Sequence, residues 1–253
     1  MHVHVLPGID DGPRSMAEAI ALATDAAHDG VDTLVATPHV RPDHPFVQPL
    51  KLGQRVEVLR SHLRASGVPI EIVQGAEVDL LWALQAPQPE LVAASYGGRG
   101  TDLLIETPYG PLPPRFDELI FGLAVRGFRI LLAHPERNPT FQHAPRRLSD
   151  LVERGTLLQI TASSLVQGGR NSKSRRLASA LVSEELAHVI ASDAHGPHTS
   201  RANLLDGARA AGRLAPARAQ WLVNESPAAI LAGEPLPEPP ASSRRPSLLR
   251  RRG

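Results

Sequence analysis

The fold and the function of the chain are most clearly indicated by its opening stretch, Met1-His2-Val3-His4-Val5-Leu6-Pro7-Gly8-Ile9-Asp10-Asp11-Gly12-Pro13. Two histidines flank one apolar residue, and an acidic pair follows in a turn rich in glycine and proline. If residues 1–5 form a strand, its side chains alternate between two faces, so His2 and His4 share one face. Paired imidazoles on a buried face suit a divalent metal, although a lone His-x-His pair also arises by chance. We interpret Asp10 as a turn residue.

The composition is that of an ordinary globular protein. The chain has 253 residues, of which 42% are hydrophobic and 21% charged, and its formal net charge is +1. This balance gives no electrostatic reason to expect a nucleic-acid or membrane partner. Neither a signal peptide nor an apolar run of about eighteen residues is found, which predicts a cytoplasmic protein. Cysteine is absent, which excludes disulfides, thiolate ligands and a cysteine nucleophile.

Helical and extended segments alternate along the chain. The first helix, residues 15–29, has Ser15 and Glu18 in a capping-box pattern and ends at Gly30. Further helices are predicted at 51–65, 80–92 (broken by prolines), 115–125, 148–154, 174–184, 201–211, 216–223 and 227–231. Strands are predicted at 1–5, 31–37, 68–74, 102–105, 128–133, 156–161 and 187–191.

This alternation, with its short connections, predicts a parallel sheet with right-handed crossovers. Seven strands favour an α/β fold in which a distorted (β/α)7 barrel, similar to a TIM barrel, forms a single domain. We place that domain at residues 1–233. Residues 234–253, rich in proline and ending in Arg250, Arg251 and Arg252, are predicted to be a disordered tail. In such barrels the active site lies at the carboxyl ends of the strands.

Six ionisable side chains follow five of the predicted strands at that end, and they would meet the opening histidines and the turn. The predicted ligand set is His2, His4, Asp11, His39, Glu77, Glu106, His134, Asp193 and His195. It is too large for one ion, which takes about four to six ligands. Imidazole and carboxylate donors therefore predict two or three ions, with manganese, zinc or iron favoured. Such clusters bind phosphate and lower the pKa of a bound water.

Arg137 lies three residues after His134 in the same predicted loop. A guanidinium offers a fork of donors that matches a phosphate dianion. Arg137 is therefore the candidate for binding substrate and for stabilising charge on a phosphoryl group in transfer. Neither a Gly-x-Gly-x-x-Gly motif nor a Walker loop occurs. The residues alone thus predict metal-dependent hydrolysis of a phosphomonoester.

Six stretches give the chain a resemblance to a known family, namely residues 2–13, 36–39, 75–77, 104–106, 133–137 and 191–195. The most specific are the turn Asp10-Asp11-Gly12-Pro13 and the loop His134-Pro135-Glu136-Arg137. The chain resembles the polymerase and histidinol phosphatase (PHP) superfamily, and more narrowly the capsular polysaccharide tyrosine phosphatases of the CpsB/CapC type. This resemblance implies a manganese-activated barrel that hydrolyses phosphotyrosine on a tyrosine autokinase controlling capsule and exopolysaccharide assembly.

The resemblance also implies three metal sites. One metal would take His2, His4, Glu77 and Asp193. A second would take Glu77, Glu106 and His134, with Glu77 bridging, and the third would take Asp11, His39 and His195. Arg137 matches the phosphate-binding arginine of the family, and we assign Arg137, Asp193 and His195 to catalysis. Family members usually carry a few residues before the first histidine, whereas Met1 alone precedes His2, so the first site is expected to be the loosest.

Two other functions are consistent with the same residues. One is a small-molecule phosphatase of the superfamily, such as one that acts on histidinol phosphate. The other is a non-catalytic regulatory protein that binds a kinase, although such a binder has no reason to keep nine metal-type residues. His44, His198 and Arg41 lie in loops near the predicted mouth, where a substrate contact is the alternative to a solvated side chain. Ser163 and Ser164 either orient ligands or only form a turn.

Overall fold

The computed structural model describes residues 1–169, 171–197 and 204–240. Parallel strands and helices alternate in these residues. The strands are β1 (Thr33–Ala36), β2 (His39–Val40), β3 (Glu71–Gln74), β4 (Glu77–Val78), β5 (Asp102–Glu106), β6 (Arg129–Ala133), β7 (Leu157–Thr161) and β8 (Val189–Ala191). The helices are α1 (Met16–His28), α2 (Leu52–Ala65), α3 (Leu80–Gln85), α4 (Gln88–Ala94), α5 (Phe116–Val125), α6 (Pro139–His143), α7 (Arg146–Glu153), α8 (Ala162–Val166), α9 (Lys173–Ser183), α10 (Leu204–Leu214) and α11 (Ser226–Ala232).

The strands form two parallel sheets. β1 pairs with β3, and the second sheet has the order β2-β4-β5-β6-β7-β8. β2 follows β1 after a break at residues 37–38, and β4 follows β3 after a break at residues 75–76. The amide of Glu77 still donates to the carbonyl of Pro38 across these breaks, at 3.1 Å. The molecule is thus a single-domain α/β fold with parallel sheets, and its pairing is not that of one continuous (β/α)7 barrel.

The predicted first strand, residues 1–5, is wrong in its extent. Val3 alone makes parallel bridges, one to Ala36 and one to Ala194. The amide of Thr37 donates to the carbonyl of Val3, and the amide of His4 donates to that of Ala194, both at 2.9 Å. Beyond this segment the chain turns at Gly8, whose φ is 71°. The opening segment nevertheless lies between the ends of β1 and β8.

Aliphatic side chains fill the core between the sheets and the helices. β5 is buried along its whole length, as a strand covered on both faces should be. α2 buries Val56, Leu59 and Leu63, spaced three and four residues apart, which places them on one face of the helix. Each such side chain removed from water contributes about 1.5–3 kcal/mol as an upper estimate.

Several element boundaries differ from those predicted. Residues 216–223 form a short 3-10 turn, Pro216–Arg218, followed by the π-helical segment Trp221–Glu225. The predicted helix 201–211 corresponds to α10, which is described from Leu204 to Leu214; residues 201–203 lie outside the described residues, as does His198. α1 begins after Ser15, whose hydroxyl accepts from the amide of Glu18 at 3.3 Å. The Glu18 carboxylate accepts from the amide of Arg14, so the capping box is only half formed.

The start of the predicted tail is attached to the domain. Residues 234–240 form no helix or strand, but the indole of Trp221 donates to the carbonyl of Pro237 at 3.1 Å. The guanidinium of Arg129 donates to the carbonyl of Glu234 at 2.7 Å, and Leu236 packs against the core. The rest of that segment, residues 241–253 with its three terminal arginines, lies outside the described residues.

The crossing of α10 over α8 depends on Gly207. A Cβ added at Gly207 would lie 2.6 Å from the Cβ of Ala162 and 2.9 Å from its Cα. Both distances are well inside van der Waals contact. Since α8 begins where β7 ends, this close approach fixes the position of α8, the helix that carries Ser163.

Gly207→Ala is expected to lower the free energy of unfolding by about 1–2 kcal/mol, because overpacking outweighs the gain of about 1 kcal/mol in helix propensity. Gly212→Ala, on the same helix, is the matched control, since its Cβ would meet Ala219 at an ordinary 3.8 Å. The control is expected to be neutral or slightly stabilising in chemical denaturation. Equal stability of the two variants would contradict the close crossing.

Candidate metal centre

The nine predicted ligands lie together at one edge of the sheets, next to the carboxyl ends of β1, β3, β5, β6 and β8. His39 and Glu77 are direct neighbours in the pairing of β2 with β4, and Glu106 is the last residue of β5. The Val3 bridges bring His2 and His4 to the same edge. Four groups have their ligand atoms within 4.8 Å of one another: His2, His4 and Asp193; His2, Glu77 and His134; His39, Glu77 and Glu106; and His4, Asp11, His39 and His195. Every predicted ligand belongs to at least one group.

Glu77 lies at the middle of this cluster. Its Oε2 is 3.1 Å from His2 Nε2, 3.1 Å from His39 Nδ1 and 3.4 Å from His4 Nε2. Its other oxygen, Oε1, is 2.7 Å from His134 Nε2. Glu77 is 1% exposed and touches four imidazoles, so its two oxygens could serve more than one ion.

Asp193 completes the inner group beside the opening histidines. Its Oδ1 is 3.3 Å from His2 Nε2 and 3.6 Å from His4 Nε2. The two Nε2 atoms are themselves 3.3 Å apart. Two imidazole nitrogens and two carboxylates thus surround one point.

The third predicted group lies at the outer side of the cluster. Asp11 Oδ1 is 3.4 Å from His195 Nε2 and 3.7 Å from His39 Nε2. The His4 and His195 rings are stacked, with centroids 3.9 Å apart. The Asp11 side chain is half exposed, so this group is the one open to solvent.

Buried acceptors behind the cluster orient its first two histidines. The Oε1 of Gln159 accepts from His2 Nδ1 at 2.8 Å, and Asp10 Oδ2 accepts from His4 Nδ1 at 2.8 Å. A proton held on each Nδ1 leaves the lone pair of each Nε2 directed at Asp193 and Glu77. Asp10 also accepts from the amide of His39 at 3.1 Å. The interpretation of Asp10 as only a turn residue was therefore wrong.

The backbone is strained at two of the strand ends. His134 has a φ of 36° and Asp193 a φ of 54°, a region that residues other than glycine rarely adopt. Both side chains are buried and face Glu77 or His2. Non-glycine residues in this conformation cluster at functional sites, where packing holds them against the strain.

Two arginines border the cluster. Arg137 Nη1 donates to Asp193 Oδ2 at 2.7 Å, and Arg41 Nη1 donates to Glu106 Oε1 at 3.0 Å. Arg41 also pairs with Asp43, and His44 stacks on His39 with ring centroids 5.4 Å apart. Arg41 and His44 therefore lie against the predicted ligands, and the interpretation of Arg41 as a solvated charge was wrong.

Burial and neighbouring charge shift the pKa values of two adjacent carboxylates, Glu77 and Glu106, in opposite directions. Burial alone would raise the pKa of Glu77, but the imidazoles of His2 and His134 outweigh it and hold that pKa well below its ordinary value. Burial, together with the Glu77 charge, raises the pKa of Glu106 to about 7. Adjacent carboxylates with opposite shifts are typical of functional sites.

The donor set fits divalent cations. Glu77 Oε2 and His39 Nδ1 are buried and have no well-aligned hydrogen-bond donor among the described residues. Unpaired polar atoms in the interior are destabilising, and a cation between them would satisfy their lone pairs. Imidazole nitrogen and carboxylate oxygen are the donors that manganese, zinc and iron accept. The nine residues could hold a cluster of such ions.

The whole sequence also matches a known family. The family model described as capsular polysaccharide synthesis, CpsB/CapC, matches residues 1–232. The chain belongs to the CpsB/CapC family. It is 30% identical over 199 residues to the tyrosine-protein phosphatase YwqE of Bacillus subtilis, and the aligned region covers 79% of this chain and 78% of YwqE. It is 32% identical over 199 residues to the putative tyrosine-protein phosphatase CapC of Staphylococcus aureus, with 77% and 76% covered.

A solved structure extends the comparison to the fold of this CpsB/CapC family member. It comes from crystal structures of YwqE from Bacillus subtilis and CpsB from Streptococcus pneumoniae, described as unique metal-dependent tyrosine phosphatases. The TM-score is 0.81 at 26% identity, with 96% of this chain and 98% of that one covered. In the described residues of the family member, no helix combines the length and apolar character that crossing a membrane requires.

Sequence reasoning missed Gln159 and Asn138 in this CpsB/CapC protein. Gln159 is a polar residue in the middle of the otherwise apolar strand β7 and is fully buried, and that position was the signal that could have found it. Asn138 directly follows Arg137, and its amide holds the carbonyls of Pro108 and Gly110. Nothing in the sequence pattern indicates that partner, because the loop it holds lies 28 residues away.

Proposed function

We propose that this CpsB/CapC family member is a metal-dependent protein tyrosine phosphatase that hydrolyses phosphotyrosine without a cysteine nucleophile. The observation that carries the proposal is the convergence of nine imidazole and carboxylate side chains, Glu77 among them, with Arg137 beside them. The names of the relatives support phosphotyrosine as the substrate. The family description supports a role in capsule and exopolysaccharide synthesis, for which a tyrosine autokinase is the proposed protein substrate, in the cytoplasm.

The proposed cofactor is a cluster of three Mn²⁺ ions, for which Zn²⁺ or iron could substitute. His2, His4, Glu77 and Asp193 would hold the first ion, and Glu77, Glu106 and His134 the second. Asp11, His39 and His195 would hold the third. Such ions, when bound, polarise phosphoryl oxygens and make water a nucleophile at neutral pH.

Arg137 is proposed to bind and orient the phosphoryl group. It lines a cavity of about 270 Å³ together with Asp193 and His195. One N–H of the guanidinium is bound to Asp193, and a guanidinium has five donors, so others can reach phosphoryl oxygens. Asp193 thus both faces the ligand cluster and fixes the arginine. Ser163 and Gln167, which line the same cavity, add polar groups to it.

The catalytic domain is proposed to span residues 1–233, with residues 234–253 as an appended segment. We also propose that the two sheets together form a distorted seven-stranded barrel. The Val3 bridges to Ala36 and Ala194 support this, because they place the opening segment between the first and last strands of the fold.

Gln159→Leu is expected to weaken divalent-metal binding by about 10- to 100-fold, because His2 loses the acceptor that holds its proton on Nδ1. Calorimetric titration of the metal-free protein with Mn²⁺ measures the change. Gln142→Leu is the matched control, since that amide bonds to the carbonyl of Glu136 and to Ser174 and to none of the nine predicted ligands. Unchanged affinity in Gln159→Leu would show that His2 does not depend on this contact.

A side-by-side assay tests the function itself. The purified protein with Mn²⁺ is offered a phosphotyrosine peptide and histidinol phosphate under the same conditions. Preferential release of phosphate from the peptide is the expected result. Turnover of histidinol phosphate alone would assign the protein to the small-molecule phosphatases, and no turnover with any divalent metal would favour a non-catalytic binder.

A further inference from the structure

Tyr109 is an exposed aromatic residue at the edge of the candidate metal centre. Its side chain is 61% exposed, whereas the neighbouring His134 is 1% exposed. The two rings are nearly parallel, 17° apart in plane, with centroids separated by 5.8 Å. Tyr109 therefore lies against the histidine on one side and presents the rest of its ring to solvent. Exposed single aromatic residues are common. Whether Tyr109 has a role therefore depends on whether the fold holds its loop in place.

The loop that carries Tyr109 is held on both sides of the residue. The side-chain amide of Asn138 donates to the carbonyl of Pro108 at 2.6 Å and to that of Gly110 at 2.9 Å. Asn138 is itself 1% exposed, and its Oδ1 accepts from the amide of Thr140 at 2.8 Å. The buried side chain of Asn138 forms hydrogen bonds through both its nitrogen and its oxygen, and it thus fixes the backbone on both sides of the exposed Tyr109. Asn138 belongs to the same loop as His134 and Arg137, so ring and site are positioned together.

The Tyr109 ring also lies next to the proposed phosphate-binding group. Arg137 follows His134, on which the Tyr109 ring stacks, within one 3-10 turn that is closed by a hydrogen bond from the Arg137 amide to the His134 carbonyl at 3.0 Å. In an aryl phosphate the ring is one ester bond from the phosphoryl group. A phosphoryl group held by Arg137 therefore brings the aryl ring of its ester within reach of Tyr109.

We propose that Tyr109 is a specificity-determining residue whose ring stacks on the aryl group of an aryl phosphate ester. This inference rests on the proposed function, which it deepens by naming the residue that selects aryl over alkyl phosphates. Stacked or edge-to-face aromatic pairs strengthen binding by about two- to tenfold beyond the area they bury. An alkyl phosphate gains nothing comparable from the ring.

Direct binding tests this without requiring turnover. The full-length protein with Mn²⁺ is titrated calorimetrically with phenylphosphonate and with methylphosphonate, neither of which it can hydrolyse as an ester. The unmodified protein is expected to bind phenylphosphonate more tightly. Tyr109→Ala is expected to reduce that preference by about two- to tenfold, whereas Tyr109→Phe keeps the ring and should retain it. Phe121→Ala, which removes another exposed aromatic ring (63% exposed), is the control and should leave the preference unchanged.

The outcomes separate this inference from the proposed function. Phosphotyrosine turnover with a phenyl preference that Tyr109→Ala does not alter would overturn the role of Tyr109 and leave the phosphatase assignment intact. A preference lost equally in Tyr109→Phe would also overturn stacking, since only the hydroxyl is removed there. A preference lost only in Tyr109→Ala, in a protein that hydrolyses no phosphotyrosine, would support the aryl site and reject the phosphatase assignment.

Discussion

Glu77→Gln is expected to reduce phosphotyrosine hydrolysis by at least about a thousandfold and to lower the number of Mn²⁺ ions bound per chain. The glutamine keeps the size of the side chain but loses the negative charge that four imidazoles surround at 2.7–3.4 Å. If Glu77 bridges two ions, both lose a ligand at once. Metal content by elemental analysis and kcat with a phosphotyrosine peptide measure the two effects.

Asp102→Asn is the matched control for that variant. Asp102 is also a buried carboxylate, but it lies at the opposite end of β5, where it pairs with Arg129 at 2.5 Å. Its replacement is expected to destabilise the fold while leaving metal content unchanged. Full metal content and full activity in Glu77→Gln would contradict the bridging role.

Arg137→Ala is expected to lower kcat/KM for a phosphotyrosine peptide by about 10²- to 10³-fold, the size of effect seen when one donor to a transition-state oxygen is removed. Metal content should stay unchanged, because the arginine is not itself a ligand. Arg137→Lys keeps the charge but not the fork of donors, and it should recover only part of the activity. Steady-state kinetics together with metal analysis measure these effects.

Arg147→Ala is the matched control for Arg137. Both arginines pair with an aspartate, at 2.7 Å for Arg137 and 2.8 Å for Arg147, and their side chains are similarly exposed, at 27% and 33%. Arg147 pairs with Asp117, a residue outside the predicted ligand set. A loss of metal from Arg137→Ala in proportion to its loss of activity would assign the arginine to holding Asp193 instead of phosphate.

The meeting of the strand ends could be predicted from the sequence because it follows from local patterns. Parallel strands joined by helices bring the residues after each strand to one edge, so Glu77, Glu106 and His134 could be placed together without knowing any distance. The same reasoning placed His39 beside them. Because these residues are imidazoles and carboxylates, the predicted chemistry was limited to that of divalent-metal ligands.

Other parts of the site depend on contacts that no local pattern contains. Gln159 reaches His2 across 157 residues of chain, and its register is set only when β7 pairs with its neighbours. Asp10 could be recognised as a turn residue, but its contact with His4 requires the opening segment to fold over the end of β1. The length of the strand predicted at residues 1–5 was overestimated. The alternation of its side chains predicts which face each one points to, but it does not predict how many backbone hydrogen bonds form.

The requirement of phosphotyrosine hydrolysis for a divalent metal is tested most directly by removing the metal with a chelator and adding it back. The purified protein is stripped with a chelator, dialysed, and titrated with Mn²⁺ while release of phosphate from a phosphotyrosine peptide is followed. We expect no turnover in the stripped protein and recovery that saturates at about three ions per chain, the number of ion sites that the nine ligands would form. Turnover that survives complete removal of divalent metal would contradict it.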